Sequence, residues 1–141
     1  MKREDRYDSL IRFYAEESGF TGKEWLQLKS QIKAESNFDP KAKSWVGAEG
    51  LGQFMPPTWK EWGRGGDVTN PEDNISAQCR YMRWLLSRVT TWECAFAAYN
   101  WGIGNVLKVW QDPQWKKRLP EETRKYIERI EQYHEEYVNG N

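Results

Sequence analysis

Apolar residues recur at steps of three and four along most of the chain, a spacing that places them on one face of an α-helix. We therefore predict a series of helices joined by short loops. The predicted helices cover residues 8–18, 21 to the Asp39-Pro40 pair, 56–62, Asn70-Pro71 to about 88, 90–100, 105–110, and the stretch that begins at Pro120.

Capping residues mark where several of these helices begin and end. Asp8 can cap the first helix, and Gly19 suits the position just after its end. The pairs Thr21–Glu24 and Thr90–Glu93 have the spacing of a capping box. Apolar stripes then predict the buried faces of two long helices, formed by Ile75, Cys79, Met82 and Leu86, and by Ile127, Ile130 and Tyr137.

The stretch from Asp39 to Met55 breaks the helical pattern. Its glycines, Gly47, Gly50 and Gly52, indicate a structured loop that could hold a short β-hairpin. The chain contains no internal repeat, linker or low-complexity segment. We predict a mostly α fold, a single helical domain over residues 1–141 with a structured loop or short β-hairpin between helices.

Charge and residue counts exclude several functional classes. The formal net charge is +0 without long blocks of one sign, so nothing favours nucleic acid or an acidic membrane as a partner. The apolar runs are too short to span a membrane. The single histidine, His134, argues against Ser-His-Asp or Cys-His peptidases and against a zinc amidase. We predict no metal and no cofactor.

Tryptophan is abundant, with nine residues in the chain. These side chains could pack against a core, or they could line a groove in which flat rings meet sugars, and composition does not choose between the two. Cys79 and Cys94 both lie in predicted helices, where they resemble small buried apolar residues more than a disulfide pair.

Glu35 is the strongest candidate for chemistry. The apolar stripe of the second helix runs through Trp25, Leu28 and Ile32, and Glu35 is the next position on that face. Burial and the negative end of the helix dipole both raise a carboxyl pKa, and a protonated carboxyl is what general acid catalysis of glycoside cleavage requires. The alternative is a glutamate at a helix end whose head group reaches water.

Four stretches favour the catalytic interpretation. They occur in the order Glu35-Ser36-Asn37-Phe38, the loop 42–58 with Gly50-Leu51-Gly52-Gln53-Phe54-Met55-Pro56, then Ala98-Tyr99-Asn100-Trp101-Gly102-Ile103-Gly104, and Glu122-Thr123-Arg124-Lys125-Tyr126-Ile127. This set resembles the soluble lytic transglycosylase domain, a relative of goose-type lysozyme, from about residue 7 to residue 130. Many members of that family have Met where this chain has Gly52, which affects the expected shape of the sugar subsites.

The resemblance implies a lysozyme-like fold and a role for each matching residue. Glu35 matches the catalytic glutamate, and Ser44 matches a serine that orients the substrate N-acetyl group. The remaining expected substrate-binding residues are Gln53 and Met55 beside the scissile bond, Tyr99 and Asn100 on the opposite wall, and Glu122 and Tyr126 on the last helix. Five of them also have a structural interpretation: Ser44 and Gln53 could satisfy loop backbone groups, Tyr99 and Asn100 could form a helix terminus, and Glu122 could compensate a helix dipole.

The implied activity is cleavage of the β-1,4 bond between N-acetylmuramic acid and N-acetylglucosamine in peptidoglycan, with formation of 1,6-anhydromuramic acid. Two alternatives stay open: a lysozyme-type hydrolase, and a non-catalytic module that binds glycan strands. The hydrolase needs a second carboxylate, and Asp39, Glu49 and Glu122 are all more easily interpreted as structural, which favours the transglycosylase reaction. We expect a monomer whose partner is the glycan strand. The charged N-terminal stretch lacks a signal-peptide pattern, so we expect delivery to the wall by a phage route, on a virion, or within a longer exported protein.

Overall fold

The computed structural model describes residues 1–140, which form seven α-helices and two short 3₁₀ helices, without a regular β-strand in that part of the chain. This confirms the mostly helical prediction. The α-helices are α1 (Asp8–Glu17), α2 (Trp25–Ser36), α3 (Pro56–Trp62), α4 (Pro71–Val89), α5 (Trp92–Trp101), α6 (Ile103–Leu107) and α7 (Glu121–Val138), and the 3₁₀ helices are Arg3–Asp5 and Trp115–Arg118.

Local capping explains where several helices begin and end. The Asn70 side chain accepts a hydrogen bond from the Asp73 N–H, and Pro71 is the first residue of α4, as predicted. Gly19 follows α1 with φ +86°, a left-handed conformation that glycine adopts without strain. The Glu24 carboxylate accepts a 2.8 Å hydrogen bond from the Thr21 N–H, which is half of a capping box.

Two predicted helix starts were wrong. Asp8 is the first residue of α1 and does not cap it, because the chain enters this helix through Tyr7 without a side-chain cap. Thr90 ends α4 in a left-handed conformation, and Thr91 caps α5 by accepting from the Cys94 N–H. The 90–93 pair is therefore not a capping box.

The end of α2 and the position of α6 also differ from the prediction. Helix α2 ends at Ser36, before Asp39-Pro40, since Asn37 and Phe38 are both left-handed and the turn carries the Phe38 ring into the core. Helix α6 starts directly after Gly102, whose φ of +100° allows the chain to reverse there.

The core lies between α2, α4, α5 and α7, and the predicted apolar stripes of α2 and α4 face it, as do Ile127 and Ile130 of α7. Tyr137, also predicted on the α7 stripe, is instead half-buried away from this core, where its ring faces the Lys29 ammonium group and its hydroxyl donates to Glu4. Helix α2 packs against α7 and α1, while α4 packs against α1, α3 and α5. Cys79 and Cys94 are buried free thiols, which confirms their interpretation as core residues. Within residues 1–140 no helix is long and apolar enough to cross a membrane.

The loop between α2 and α3 is held together without forming a regular hairpin. Isolated antiparallel bridges join Lys43 to Glu49 and Glu49 to Phe54. The predicted structured loop is therefore present, and the predicted hairpin is reduced to these two bridges.

Eight of the nine tryptophans are half-buried and pack against the core, which favours the packing interpretation for them. Trp45 is the exception, with 96% of its surface exposed at the turn of the α2–α3 loop.

Candidate active site

Glu35 lies in the last turn of α2, on the side that packs against α7. Its residue surface is half-buried, and Oε2 accepts a 2.7 Å hydrogen bond from the phenol of Tyr126 on α7. Oε1 has no hydrogen-bond partner among residues 1–140 and still reaches solvent. The packing of α2 on α7 thus holds one oxygen of the carboxyl and leaves the other free.

Burial raises the pKa of Glu35 from its ordinary 4.5 to about 8. The Tyr126 hydrogen bond and the positive charge of Arg129 oppose this shift, whereas the negative charge of Glu122 adds to it. The effect of desolvation is the largest of these. Glu35 is therefore protonated at neutral pH, the state that a general acid needs.

Tyr126 is itself buried, with 4% of its surface exposed, and burial together with the charge of Glu35 raises the pKa of its phenol well above the usual value. It stays a neutral phenol at any ordinary pH and can donate to the carboxyl.

Two buried glutamines extend this contact into the core. Gln31, one turn before Glu35 on α2, donates to the Tyr126 oxygen at 3.0 Å, and Gln78 on α4 donates to Gln31 Oε1 at 2.8 Å. Sequence reasoning missed both. The sequence contained one sign of this contact, since Gln31 is a polar residue beside Ile32 on the helix that carries Glu35. It gave no sign of the partner, because Gln78 lies 47 residues further along the chain.

Tyr99, on α5, lies near Glu35 from another side. Its hydroxyl donates a 2.7 Å hydrogen bond to the Gly52 carbonyl, which joins α5 to the loop after α2. Burial, and then the negative charge of Glu35, raises its pKa well above the usual value. Tyr99 therefore ties the loop to the helix that faces the carboxyl.

Gly52 fits this contact because it has no side chain. A Cβ at this position would lie 2.8 Å from the Tyr99 hydroxyl and 3.0 Å from Asn74 Oδ1, closer than carbon and oxygen normally approach. The Gly52 N–H donates to the same Asn74 oxygen at 2.8 Å. The space that a larger residue would need is thus occupied by Tyr99 and Asn74.

Ser44 and Gln53 are engaged in the loop itself. The Ser44 hydroxyl accepts from the Ala48 N–H at 2.9 Å, and the Gln53 amide donates to the carbonyls of Ala42 and Gly50. Among residues 1–140 no hydrogen bond joins either side chain to Glu35. Their hydrogen bonds give the loop a fixed shape, and their substrate roles stay predictions.

The other predicted site residues surround this centre with different degrees of exposure. Met55 is 41% exposed at the start of α3, while Asn100 on α5 accepts a 2.8 Å hydrogen bond from Thr123 on α7. Glu122 is exposed in the first turn of α7, and its charge acts on Glu35. The structure thus places Tyr126, Tyr99 and Glu122 around Glu35.

The remaining candidates for a second carboxylate have local partners. Asp39 accepts from the Lys41 N–H at 2.9 Å, and Glu49 lies 4.0 Å from the Lys43 ammonium group. Of the three candidates, Glu122 is the one whose charge affects the Glu35 pKa.

Two large cavities lie elsewhere on the molecule. One, of about 640 Å³, lies beside Trp25 and Lys29 toward the start of α2, and one of about 530 Å³ is lined by Arg64, Arg80 and Arg83. Neither contains a residue of the predicted site. A choice of site by cavity volume alone would therefore not have identified the surroundings of Glu35.

Comparison with known proteins identifies a family. The model of the transglycosylase SLT domain matches residues 13–121, a range that includes Glu35 and Tyr99 and ends just before Glu122. Two curated relatives are named membrane-bound lytic murein transglycosylase F. The protein from Alcanivorax borkumensis is 32% identical over 135 residues, covering 81% of this chain and 27% of the relative. The protein from Desulfosudis oleivorans is 35% identical over 108 residues, covering 72% and 23%. The chain thus spans about a quarter of the length of these relatives.

Solved structures show the same fold. An inactive mutant of the lytic transglycosylase Slt from Pseudomonas aeruginosa superposes with a TM-score of 0.81 at 26% identity, covering 96% of this chain and 25% of that one. The 70 kDa soluble lytic transglycosylase of Escherichia coli gives a TM-score of 0.79 at 26% identity, covering 97% and 25%. The predicted lysozyme-like helical fold of this family is confirmed.

Proposed function

Because the chain belongs to the transglycosylase SLT domain family, we propose that it is a peptidoglycan lytic transglycosylase with Glu35 as its single acid and base. The observation that carries the proposal is the state of Glu35: a half-buried carboxyl, with a pKa of about 8, held through one oxygen by Tyr126. The family match indicates the reaction class, and the site supports it because this carboxyl can supply the proton.

In the proposed reaction, Glu35 protonates the oxygen that links N-acetylmuramic acid to N-acetylglucosamine, and the bond from that oxygen to muramoyl C1 breaks. The carboxylate of Glu35 then takes the proton from the C6 hydroxyl of the same muramoyl unit. The C6 oxygen bonds to C1, which closes the 1,6-anhydro ring and restores the protonated Glu35. No water is consumed and no cofactor takes part.

The chain's side chains suit each step. Oε1 of Glu35 reaches solvent and can meet a glycosidic oxygen, while the Tyr126 hydroxyl stabilises the carboxylate that forms on proton transfer. The attacking hydroxyl belongs to the substrate itself, so the ring closure gains from the high effective concentration of a tethered group. A second carboxylate is therefore not required.

The loop between α2 and α3 is proposed to bind the glycan strand. Its shape is fixed by the Ser44 and Gln53 hydrogen bonds, and it presents the apolar side chains of Trp45 and Met55 to solvent. Flat apolar surfaces of this kind suit the faces of sugar rings. The strand would then run across the surface where this loop meets α5, the helix that carries Tyr99 and Asn100.

Delivery to the cell wall is also part of the proposal. The curated relatives are named membrane-bound and are about four times longer than the matched region. We propose that the chain reaches the wall as a domain of a longer exported protein, which agrees with the length of these relatives, or as an enzyme released by a phage or carried on a virion. We propose that the chain acts as a monomer, which sedimentation of the purified protein tests.

The experiment that tests the activity is release of soluble muropeptides from purified peptidoglycan by the wild-type chain and by Glu35→Gln. The wild type should release them, and Glu35→Gln should bind the wall and release none. A Glu135→Gln variant on the exposed face of α7 is the matched control and should behave as the wild type. Wall binding without release by the wild type would instead indicate a non-catalytic glycan-binding module.

A further inference from the structure

Two glutamines lie in the core behind Glu35. Gln31 and Gln78 are both completely buried. Gln31 donates to Tyr126, and Gln78 donates to Gln31. Burying amides is unfavourable unless they are hydrogen-bonded, and here one acceptor, Gln78 Oε1, has no hydrogen-bond partner among residues 1–140. A pair that leaves this atom unsatisfied adds little stability, which points to another role.

The direction of every hydrogen bond in this group is fixed by one backbone carbonyl. Gln78 Nε2 lies 3.2 Å from the Leu28 carbonyl oxygen, which can accept but not donate. The amide nitrogen of Gln78 must therefore face this carbonyl, and the same nitrogen faces the Gln31 amide oxygen. Rotating either amide by half a turn would bring two acceptors or two donors together.

The same donor-to-acceptor direction continues from Gln31 to Glu35. With its oxygen committed to Gln78, Gln31 presents its amide N–H groups to the Tyr126 oxygen. The phenol has one proton, and the partner it reaches is Oε2 of Glu35. All three hydrogen bonds thus point toward the carboxyl.

We propose that Gln31 and Gln78 are positioning residues that make Tyr126 a donor to Oε2 of Glu35 and thereby leave Oε1 as the oxygen that carries and transfers the proton. The catalytic meaning of this assignment rests on the proposed function. Were the proton on Oε2, it would point at Tyr126, and the phenol hydrogen would lose its acceptor in a buried setting. The free oxygen, Oε1, is the one that a glycosidic oxygen can approach.

The arrangement also helps the step in which the proton leaves. Negative charge then develops on Glu35, and three aligned dipoles, from Gln78, Gln31 and Tyr126, already face it. Hydrogen bonds in such a chain polarise one another, so each strengthens the next. Dipoles fixed in advance stabilise the developing charge without reorganisation at the moment of reaction.

The test is a pH titration of the Glu35 side chain by carbon NMR on glutamate labelled at the carboxyl carbon, with the resonance assigned by its loss in Glu35→Gln. The variants are Gln31→Met, Tyr126→Phe and the two combined. Because Gln31→Met weakens donation to the carboxylate, the titration midpoint of Glu35, the pH at which it is half-protonated, should rise. Tyr126→Phe should raise this midpoint further. In the Tyr126→Phe background, Gln31→Met should have no additional effect, since Gln31 acts through Tyr126.

Activity gives a second readout on the same variants. Gln31→Met should lower kcat about fivefold, the rate equivalent of one net hydrogen bond, with KM unchanged. Its pH–rate profile should move toward alkaline pH together with the NMR midpoint. Gln78→Met should shift the pH–rate profile and the NMR midpoint in the same direction as Gln31→Met does. It is the second variant to use if Gln31→Met does not fold.

The matched control is Leu85→Val, which alters a completely buried residue on the same helix as Gln78. It should lower stability and leave the Glu35 midpoint in place. A midpoint unchanged in both glutamine variants, or shifts that add in the double variant, would overturn the proposal. The titration needs no substrate, so a wild type that fails to cleave peptidoglycan would refute the proposed function without deciding this one.

Discussion

Replacing Glu35 by glutamine should stabilise the protein, and the gain should depend on pH. In the folded chain the Glu35 pKa is about 8, against an ordinary value of 4.5. A raised carboxyl pKa favours the folded state fully below the ordinary pKa, and this advantage is lost as pH rises through the folded pKa. Glutamine is neutral at every pH, so the free energy of unfolding of Glu35→Gln does not fall in this way as the pH rises.

The size of the effect follows from the two pKa values. Between pH 4.5 and about 8 the wild type should lose about 1.4 kcal/mol of stability per pH unit relative to Glu35→Gln, up to a limit of about 5 kcal/mol. Solvent reaches one side of this half-buried carboxyl, so screening reduces the limit, and we expect a gain of about 2–3 kcal/mol at pH 9.

Urea unfolding of both proteins at pH 5, 7 and 9 measures this difference. Glu135→Gln, at an exposed position on α7, controls for the general effect of removing a carboxylate. A Glu35→Gln gain that stays constant from pH 5 to pH 9 would refute the reasoning, because it would mean that burial does not hold the folded carboxyl in its protonated form.

Further consequences of the structure can be measured separately. Activity should fall as pH rises through about 8, because Glu35 must be protonated to act as the acid, and a pH–rate profile that rises through this range would contradict that role. Trp45→Ala should weaken co-sedimentation with insoluble peptidoglycan without lowering Tm, whereas Phe13→Ala, which removes another exposed aromatic ring, should leave binding unchanged. Gly52→Ala should cost about 1–3 kcal/mol in urea unfolding because its Cβ would lie 2.8 Å from the Tyr99 hydroxyl, and a neutral outcome would show that the loop shifts freely.

Local signals in the sequence predicted much of the helical framework. Asn70-Pro71 starts α4 as expected because both features of that start, a side-chain acceptor and a proline in the first turn, act within a few residues. Thr90 was placed wrongly for the opposite reason. Its left-handed conformation follows from how α4 and α5 join, and a β-branched residue gives no local sign of it.

The site was predictable to the extent that helical spacing and motif order reveal it. Glu35 followed from its place on the apolar face of α2, and the burial that raises its pKa agrees with that placement. The glutamine pair did not follow, because Gln31 and Gln78 meet only through the packing of α2 on α4. A glutamine has the same sequence signature on an exposed helix face as in a core, so the distinction requires the fold.

In the proposed reaction, Glu35 drives cleavage through internal attack by the muramoyl C6 hydroxyl rather than through attack by water. Mass spectrometry of the soluble products from purified peptidoglycan tests it most directly, with borohydride treatment before analysis. We expect muropeptides that end in 1,6-anhydromuramic acid, lighter by one water than hydrolytic products and unchanged by borohydride. Reducible muramic acid ends would show that water attacks instead, and this would require a carboxylate that activates water, with Glu122 as the first residue to test.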